Sequence, residues 1–291
     1  MLENAKNLQH QQRINEALLH IQDHLGSRLT LECLAKVACL SSYHFHRIFT
    51  AHVGETLHHH VCRLRMDRSA FKLRYGKDAI ADIALSIGYE TPAAFAKGFK
   101  QHFGVTPSQY RVQPINDEIL PRNLSSENSL LGSIYCNLPA EIQTLPEQSL
   151  LFIRKTGYYY QVAQEAWSAL MPYAYQHLLV NEQTQFIGIT HDDPEITAAE
   201  KIRYDACLSL GKLHQVAGKM GLQRLAGGRY ARFLHVGSYQ TMRASYQKIY
   251  GGWLPSSGHR LRDLPSFSAY LPPHHDHASE QCETAIYIPI E

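Results

Sequence analysis

Several features that would place a protein in a membrane, an export pathway or an oxidising compartment are missing from this 291-residue sequence. It contains no apolar stretch of the roughly 20 residues that a membrane-spanning helix needs. The first residues, MLENAKNLQHQQ, are polar and hold no signal-peptide core. The six cysteines are scattered without any Cys-x-x-Cys pair, which is typical of free thiols in a reducing compartment. These absences predict a cytoplasmic protein that has no membrane partner.

Signatures of catalysis and of metal binding are also missing. No nucleophile–base motif or phosphate-binding loop stands out. The run His58–His60 cannot converge on one metal ion, because neighbouring side chains on a helix point about 100° apart. Residues 274–282 hold three histidines and Cys282 in a predicted loop, which is a weak metal pattern. We therefore expect no catalytic residue, no metal site and no cofactor.

The most informative feature that is present is a segment whose pattern occurs twice, fifty positions apart. Residues 41–56 read SSYHFHRIFTAHVGET, and residues 91–106 read TPAAFAKGFKQHFGVT. A short alanine-containing segment with helical character precedes each copy. A short helix, a tight turn and a second helix form the helix-turn-helix pattern. Two such units in tandem predict a protein that holds double-stranded DNA in two places.

Each copy has the period of an amphipathic helix with defined ends. Ser41 and Thr91 are N-cap candidates, and Gly54 and Gly104 follow the last apolar residue, where a left-handed C-cap is expected. Residues at helical spacing predict one buried stripe per copy. The stripes consist of Phe45, Ile48, Phe49, His52 and Val53 in the first copy and of Phe95, Phe99 and Phe103 in the second.

The turn inside each unit differs between the copies. Gly88 lies in the second turn, and Cys39 takes its place in the first. Glycine adopts a left-handed backbone conformation readily, whereas other residues do so at a cost in free energy. The first turn must therefore either avoid a positive φ or hold a cysteine in a strained conformation.

The face opposite the stripe is predicted to read DNA. A helix in the major groove presents its N-terminal side chains to base edges. Arg47 can offer two parallel donors to guanine, whereas alanines make only apolar contacts, so we expect the first helix to discriminate more strongly. An ordinary solvated face is the alternative for either copy taken alone. The predicted DNA-contacting residues are Tyr43, His46, Arg47, Thr50, Pro92, Ala93, Ala96, Lys97 and Lys100.

Charge is distributed unevenly, although the formal net charge is only +2. Residues 1–111 contain 14 Lys and Arg against 9 Asp and Glu, whereas residues 112–291 contain 14 against 17. A basic front part joined to a mildly acidic remainder fits a DNA-binding domain joined to a second domain. Five basic residues on the predicted long helix between the units either contact phosphates or form a solvated face: Arg63, Arg65, Arg68, Lys72 and Arg74.

Residues 10–111 resemble the DNA-binding domain of the AraC family. The segment IADIALSIGYETPAAFAKGFKQHFGVTPSQYR at 80–111 carries the resemblance. It implies an all-α domain of seven helices, in which a long helix joins two helix-turn-helix units whose recognition helices enter successive major grooves. RNA polymerase is then an expected partner if the protein is an activator. The first copy departs from the pattern at Leu57 and His60, where the second has Pro107 and Tyr110.

The rest of the chain has a different pattern of predicted elements. Residues 112–139 contain three prolines and the polar run SSENS, which predicts a linker. From residue 140 the pattern predicts a strand, a helix and two strands, and then the same order again. Gly157 and Gly237 close the matching strands. We therefore expect an α+β domain over 140–291 with duplicated strand-helix-strand-strand halves.

This second part resembles the GyrI-like effector-binding domain, which also forms the C-terminal part of Rob-type AraC regulators. The resemblance is carried by GITHDDPEITAAEKIRYDAC at 188–207, HVGSY at 235–239, WLPSSG at 253–258 and TAIYIPI at 284–290. It implies two pseudo-symmetric halves around a central cleft that is often lined by aromatic side chains. Many members of the family bind cationic or amphipathic molecules there.

Two acidic positions of that family pattern are absent. Ser268 stands where a glutamate is common, and Ala285 replaces an acid in the last strand. Because a buried carboxylate would pair with a cation, its loss favours a neutral, hydroxyl-bearing or anionic ligand, or none. Asp192, Asp193 and Asp205 are expected to cap and fix loops. The residues expected to line the cleft, unless they are ordinary core residues, are Trp167, Tyr230, Trp253, Phe267, Ser268 and Tyr270.

These patterns together predict a non-enzymatic transcription regulator. Its parts are a DNA-binding domain over 1–111, a linker over 112–139 and an effector-binding domain over 140–291. The last domain senses a small molecule or contacts a partner protein. Two alternatives stay open for it: a small-molecule hydrolase, against which the serine at position 268 argues, and a protein-interaction module with a closed cleft.

Overall fold

The computed structural model describes residues 2–113, 135–136, 140–211, 216, 219–271 and 282–291. They form two compact units, one built mainly from Met1–Val112 and the other mainly from the later chain. Most of the predicted linker over 112–139, and the histidine-containing loop over 274–281, lie outside the described residues. None of the helices in the described part of the chain has the length and apolar character required to cross a bilayer.

Seven helices form in residues 2–113, and two pairs of them are helix-turn-helix units. Helices α2 and α3 form the first unit, α5 and α6 form the second, and α4 joins them. The helices are α1 (Leu2–Asp23), α2 (Leu31–Val37), α3 (Ser42–Val53), α4 (Leu57–Tyr75), α5 (Ile80–Ser86), α6 (Pro92–Phe103) and α7 (Pro107–Val112).

The ends of the two repeated helices confirm the predicted caps. The hydroxyls of Ser41 and Thr91 each accept a hydrogen bond from the backbone amide three residues on, at 3.3 and 3.2 Å. Gly54 and Gly104 end the helices with φ of 76° and 78°. Glycine adopts this left-handed conformation without strain, so each helix stops where the sequence predicts.

Each helix-turn-helix unit buries a pair of phenylalanines. Phe45 and Phe49 are completely buried with ring centroids 5.4 Å apart, and Phe95 and Phe99 repeat this arrangement at 5.5 Å. Burying such a side chain stabilises a fold by about 1.5–3 kcal/mol. The prediction that His52 belongs to the first stripe is wrong, because it is exposed. The last turn of α3 leaves much of this side chain open to solvent, although partial burial still lowers the pKa of its imidazole.

The first turn holds a cysteine in the left-handed region. Cys39 has φ of 50°, and its counterpart Gly88 has φ of 85°. The two occupy equivalent places, since the amide of each bonds to the carbonyl three residues earlier. A non-glycine residue in this region costs roughly 1–2 kcal/mol. Of the two options that the sequence left open, the strained cysteine is therefore the one adopted.

The basic residues of α4 are largely engaged inside the N-terminal unit. Arg65 donates hydrogen bonds to three backbone carbonyls at 2.7–3.3 Å. Arg63 forms ion pairs with Glu55 at 2.7 Å and with Asp67 at 3.5 Å. The phosphate-contact interpretation is therefore not supported for these two arginines. Two further members of the set also have partners: Lys72 donates to Ser86, and Arg74 lies over the ring of Tyr110.

The departures from the repeat at Leu57 and His60 leave the packing intact, because both side chains are buried. The edge of the His60 ring meets Phe49 at 5.6 Å. Its Nδ1 lies 2.8 Å from Glu55 Oε1, a partner that a buried imidazole needs. His58 and His59 are exposed instead, so the three histidines diverge as expected. Within the described residues no group of three His, Cys, Asp or Glu could hold a metal ion.

The C-terminal unit is built on one large sheet. Helix α8 (Tyr159–Gln176) follows the third strand, and the helical stretch after the seventh consists of α9 (Met242–Gln247), a π-helical turn (Lys248–Trp253) and α10 (Leu254–Ser256). The strands are β1 (Tyr135–Cys136), β2 (Glu141–Leu145), β3 (Gln148–Thr156), β4 (Phe186–Thr190), β5 (Arg203–Ser209), β6 (Gly221–Leu225), β7 (Gly228–Val236), β8 (Phe267–Tyr270) and β9 (Glu283–Pro289).

The strand order places β4 and β8 side by side near the middle of the sheet. The order is β1-β7-β9-β8-β4-β5-β3-β6, and β2 pairs with β7. In the antiparallel β4–β8 pair, Gly188 lies opposite Ser268 and Phe186 lies opposite Tyr270. Strands β2 and β6 were not predicted from the sequence. They are short and mostly exposed or half-buried, so they lack a clear apolar period.

Candidate functional site

The outward faces of α3 and α6 carry the residues predicted to read DNA. Tyr43 is 67% exposed, and most of the other members are exposed as well. Thr50 and Ala96 are only half-buried, and the hydroxyl oxygen of Thr50 is hidden from solvent. The exposed members are Tyr43, His46 and Arg47 on α3 and Pro92, Ala93, Lys97 and Lys100 on α6.

The first of these two faces holds its arginine in place. Arg47 Nη1 donates a hydrogen bond to the hydroxyl oxygen of Tyr43 at 3.2 Å, and the guanidinium carbon lies 5.6 Å from the centroid of the same ring. A cation over an aromatic ring is attracted by the ring quadrupole. The long side chain therefore has a preferred direction before it meets a ligand.

The basic side chain of the second face has no aromatic residue at the equivalent neighbouring position. Ala93 occupies the position of Tyr43, and Lys97 occupies that of Arg47. Within the described residues the Lys97 side chain makes no hydrogen bond or ion pair, and it is exposed. An ammonium acts as a point charge on a flexible stem, whereas a guanidinium makes a planar fork. The two faces therefore differ in geometry although both are basic.

In the C-terminal unit, aromatic side chains gather where β4, β5 and β8 meet. We call Trp167, Tyr204, Tyr270, Tyr159 and Tyr239 the aromatic cluster. Trp167 Nε1 donates to the hydroxyl oxygen of Tyr204 at 2.9 Å, and the hydroxyls of Tyr204 and Tyr270 lie 2.8 Å apart. The ring of Tyr270 also meets the rings of Trp167 and Tyr239 edge-on, at 5.6 and 5.1 Å. Tyr159 packs edge-on against Tyr204 at 5.9 Å.

A glycine lets the tyrosine hydroxyls approach the sheet. A Cβ atom at Gly188 would lie 2.4 Å from the hydroxyl oxygen of Tyr204 and 2.6 Å from that of Tyr270. Both distances are far below van der Waals contact, so any side chain there would displace the hydroxyl pair. The sequence pattern did not identify Gly188, Tyr204, Tyr159 and Tyr239 as site residues. The signal would have been strand alternation, but using it requires the register between strands.

Ser268 lies next to this cluster. It faces Gly188 across the β4–β8 pair and is 4% exposed. Its hydroxyl lies 3.1 Å from that of Tyr246, whose pKa burial raises to about 12. Burial and the nearby Tyr246 also raise the pKa of Tyr159. The serine at the position of the expected glutamate thus joins a group of neutral tyrosine hydroxyls.

Three of the residues expected in the cleft lie elsewhere. Phe267 and Ser268 are neighbours in β8, so they point to opposite faces of the sheet. Phe267 stacks on Tyr287 at 4.6 Å and meets Tyr230 at 5.3 Å on its own face. Trp253 packs on the buried core of α9 and β7. The predicted set thus divides, and Trp167, Ser268 and Tyr270 are the members that the fold brings together.

The buried acids of the C-terminal unit are neutralised away from the cluster. Asp205 accepts two hydrogen bonds from Arg154, both at 2.7 Å, and lies 2.7 Å from His191 Nε2. Although burial alone would raise the pKa of its carboxyl, these partners hold it well below its usual range. Asp205 follows Tyr204 in β5, so its side chain points to the other face.

The other two motif acids fix the loop after β4, as predicted. Asp192 forms a two-bond ion pair with the side chain of Arg203 at 2.7 and 2.8 Å. Asp193 accepts a hydrogen bond from the amide of Glu195 at 2.8 Å. The carboxylates of Asp192 and Asp193 are therefore engaged by structural partners of the loop.

Comparison with known proteins identifies relatives of both units. Residues 139–291 match the model of a GyrI-like small molecule binding domain, and residues 34–113 match that of a helix-turn-helix domain. The HTH-type transcriptional activator AarP of Providencia stuartii is 33% identical over 99 residues, which make up 34% of this chain and 73% of that protein.

Other relatives share less of their length with this chain. An HTH-type transcriptional regulator of Haemophilus influenzae is 35% identical over 99 residues, or 34% of this chain and 33% of that protein. The chain spans only about a third of the length of the first curated relatives it matches. The solved C-terminal domain of EcmrR is 16% identical, matches 52% of this chain and 96% of its own length, and has a TM-score of 0.43.

Proposed function

Because this chain belongs to the GyrI-like small molecule binding domain family and carries an AraC-type helix-turn-helix domain, we propose that it is a DNA-binding transcription regulator controlled by a small molecule. The observation that carries the proposal is the pair of exposed basic faces at equivalent positions of two recognition helices. Phosphate neutralisation provides most of the affinity of such proteins, and base contacts provide the specificity. In this proposal Arg47 reads a base and Lys97 contacts a base or a phosphate.

The domains in this proposal follow the sequence boundaries. Residues 1–111 bind DNA, residues 112–139 link the two domains, and residues 140–291 bind the effector. The protein acts in the cytoplasm. The strand order supports two similar halves around a cleft, because β7, β9 and β8 on one side of the β4–β8 junction correspond to β3, β5 and β4 on the other. The aromatic cluster at this junction is then the effector site. RNA polymerase becomes a partner if the regulator is an activator.

A non-enzymatic role fits the chemistry of the aromatic cluster better than hydrolysis does. Activation of a water molecule needs a general base within hydrogen-bond reach. The carboxylates of Asp192 and Asp205 are held by Arg203 and Arg154. Tyrosines whose pKa is raised by burial remain protonated at neutral pH and therefore do not act as bases.

The test is selection of genomic DNA fragments by the full-length protein at low salt. The recovered sites should share a sequence motif, and their affinity should fall steeply as the salt concentration rises. The double variant Arg47→Ala/Lys97→Ala should lose binding to these sites. Arg224→Ala/Lys248→Ala removes the same charge from exposed positions of the C-terminal unit and serves as the control. Retained selection by the first variant would overturn the assignment of the DNA-reading face.

A further inference from the structure

The hydrogen bonds within the aromatic cluster leave one proton without an acceptor. Trp167 Nε1–H can only donate, and it donates to the hydroxyl oxygen of Tyr204. One of the two tyrosine hydroxyls then donates to the other across 2.8 Å. These three groups have three protons to donate but make only two hydrogen bonds among themselves. Within the described residues no further acceptor is recorded for either hydroxyl, so one of them keeps a free donor.

The burial of the two tyrosines decides which hydroxyl keeps the free donor. Tyr204 is 1% exposed, and a buried donor without a partner is unfavourable. Tyr270 as a whole residue is more exposed than Tyr204, although burial also raises the pKa of its hydroxyl. The favourable arrangement therefore runs from Trp167 to Tyr204 and from Tyr204 to Tyr270, and the free O–H is that of Tyr270. The missing side chain at Gly188 lets both hydroxyls lie close to the sheet and to each other.

The surroundings of this donor are neutral. Burial, together with the neighbouring hydroxyls of Tyr204, Tyr159 and Tyr239, raises the pKa of Tyr270 well above its ordinary value. The hydroxyl therefore keeps its proton across the physiological pH range. Among the described residues, the side chains that shift the pKa of Tyr270 are all tyrosines, so a cation would meet ring faces there rather than a carboxylate, and an anion would meet a donor rather than a positive charge.

We infer that the aromatic cluster binds an uncharged, ring-containing molecule that presents a hydrogen-bond acceptor, such as a ring ketone, lactone or ether oxygen, to the Tyr270 hydroxyl. This inference rests on the proposed effector site and adds the chemical class of the effector. Half-exposed rings of Trp167 and Tyr270 would pack against the molecule, and the free hydroxyl donor of Tyr270 would select for the acceptor.

Three planar probes of similar size test the inference by calorimetric titration of the full-length protein. Fluorenone carries a carbonyl acceptor, fluorene has the same skeleton without it, and N-methylacridinium carries a positive charge. Fluorenone should bind most tightly, with roughly three- to tenfold higher affinity than fluorene, as expected for one hydrogen bond. The cation should bind more weakly than fluorenone.

The Tyr270→Phe variant removes the free hydroxyl and keeps the ring. It should reduce the preference for fluorenone over fluorene to near unity while fluorene binding stays similar. Tyr287→Phe, on the opposite face of the sheet, is the matched control and should keep the preference. Equal binding of fluorenone and fluorene by the wild type, a preference for the cation, no binding of fluorenone, or an unchanged preference in Tyr270→Phe would overturn the inference. DNA binding by the same preparation, measured in parallel, shows whether the proposed regulatory function survives that result.

Discussion

At the scale of single residues, the repeat shows how different side chains fill equivalent positions. Tyr43 and Arg47 in the first recognition helix correspond to Ala93 and Lys97 in the second. The first pair is connected by a hydrogen bond and a cation–ring contact, so it is ordered in the free protein. A side chain that is already ordered loses less conformational entropy on binding. We therefore expect the first helix to contribute more to sequence preference.

Removing either member of this pair should weaken specific DNA binding in a coupled way. Arg47→Ala should cost about 1–3 kcal/mol and relax the preference at one base pair. Tyr43→Ala should lose part of the same free energy, so a double-mutant cycle on the selected site should show non-additivity. The control pairs Tyr43→Ala with Lys97→Ala on the other helix, where additive effects are expected. Additivity in both cycles would show that Tyr43 does not position Arg47.

The strained turn gives a second prediction at this scale. Cys39→Gly should raise the free energy of unfolding by up to about 1 kcal/mol, because glycine removes the left-handed strain but adds entropy to the unfolded chain. Gly88→Ala should act in the opposite direction, since its φ is 85° and a Cβ there would lie 2.6 Å from Arg65 Nη2. Denaturant unfolding of both variants measures the change in the free energy of unfolding. A destabilised Cys39→Gly would show that the thiol makes a compensating contact.

At the scale of structural elements, α4 is held at its start by a buried cluster of charged and polar groups. Glu55 accepts from Arg63 at 2.7 Å and lies 2.8 Å from His60 Nδ1. Burial alone would raise the pKa of Glu55, but these partners lower it to about 2 from an ordinary value of 4.5. The cluster connects the end of the first helix-turn-helix unit to the helix that carries the second.

This cluster should make stability depend on acid pH. A carboxyl whose pKa is lowered by folding stabilises the fold fully above pH 4.5, and that contribution is lost as the pH falls toward 2. Glu55→Gln should therefore destabilise the protein by about 1–3 kcal/mol at neutral pH and by much less near pH 2. Urea unfolding of the variant and the wild type at several pH values measures the loss of stability at neutral pH and near pH 2. Glu90→Gln, at an exposed position of the second turn, is the control and should have little effect at any pH.

At the scale of the whole molecule, the chain combines two units with separate chemistry. The N-terminal unit has its own core of buried phenylalanines and capped helices, and the C-terminal unit has its own sheet. Domains with separate cores often fold independently. Each activity in the proposed function therefore belongs to one unit, and regulation requires communication between them.

A fragment of residues 1–113 should fold and bind the selected DNA by itself. Its logarithmic affinity should fall linearly with the logarithm of the salt concentration, because each phosphate contact releases counterions. Circular dichroism establishes the fold, and gel shifts between low and physiological salt give the slope. A folded fragment that binds no selected site would show that the C-terminal unit is needed to hold the two recognition helices in register.

Local interactions account for what the sequence predicted well. The caps at Ser41, Thr91, Gly54 and Gly104 and the paired phenylalanines follow from contacts between residues a few positions apart. The helix-turn-helix units could therefore be located from the repeat alone. The exposed faces of α3 and α6 followed from the same helical period. The prediction failed for His52, where a polar residue at a helix end gains nothing from burial.

The aromatic cluster depended on long-range pairing instead. The amino-acid pattern alone was enough to place Trp167, Ser268 and Tyr270 in an aromatic-rich domain and to show that the expected acids are missing. The pairing of β4 with β5 and β8 then decided which side chains share a face. It moved Phe267 to the opposite face and brought Tyr204 over Gly188. A shift of one residue in register reverses the face of every side chain in a strand, so only the tertiary structure could specify this site.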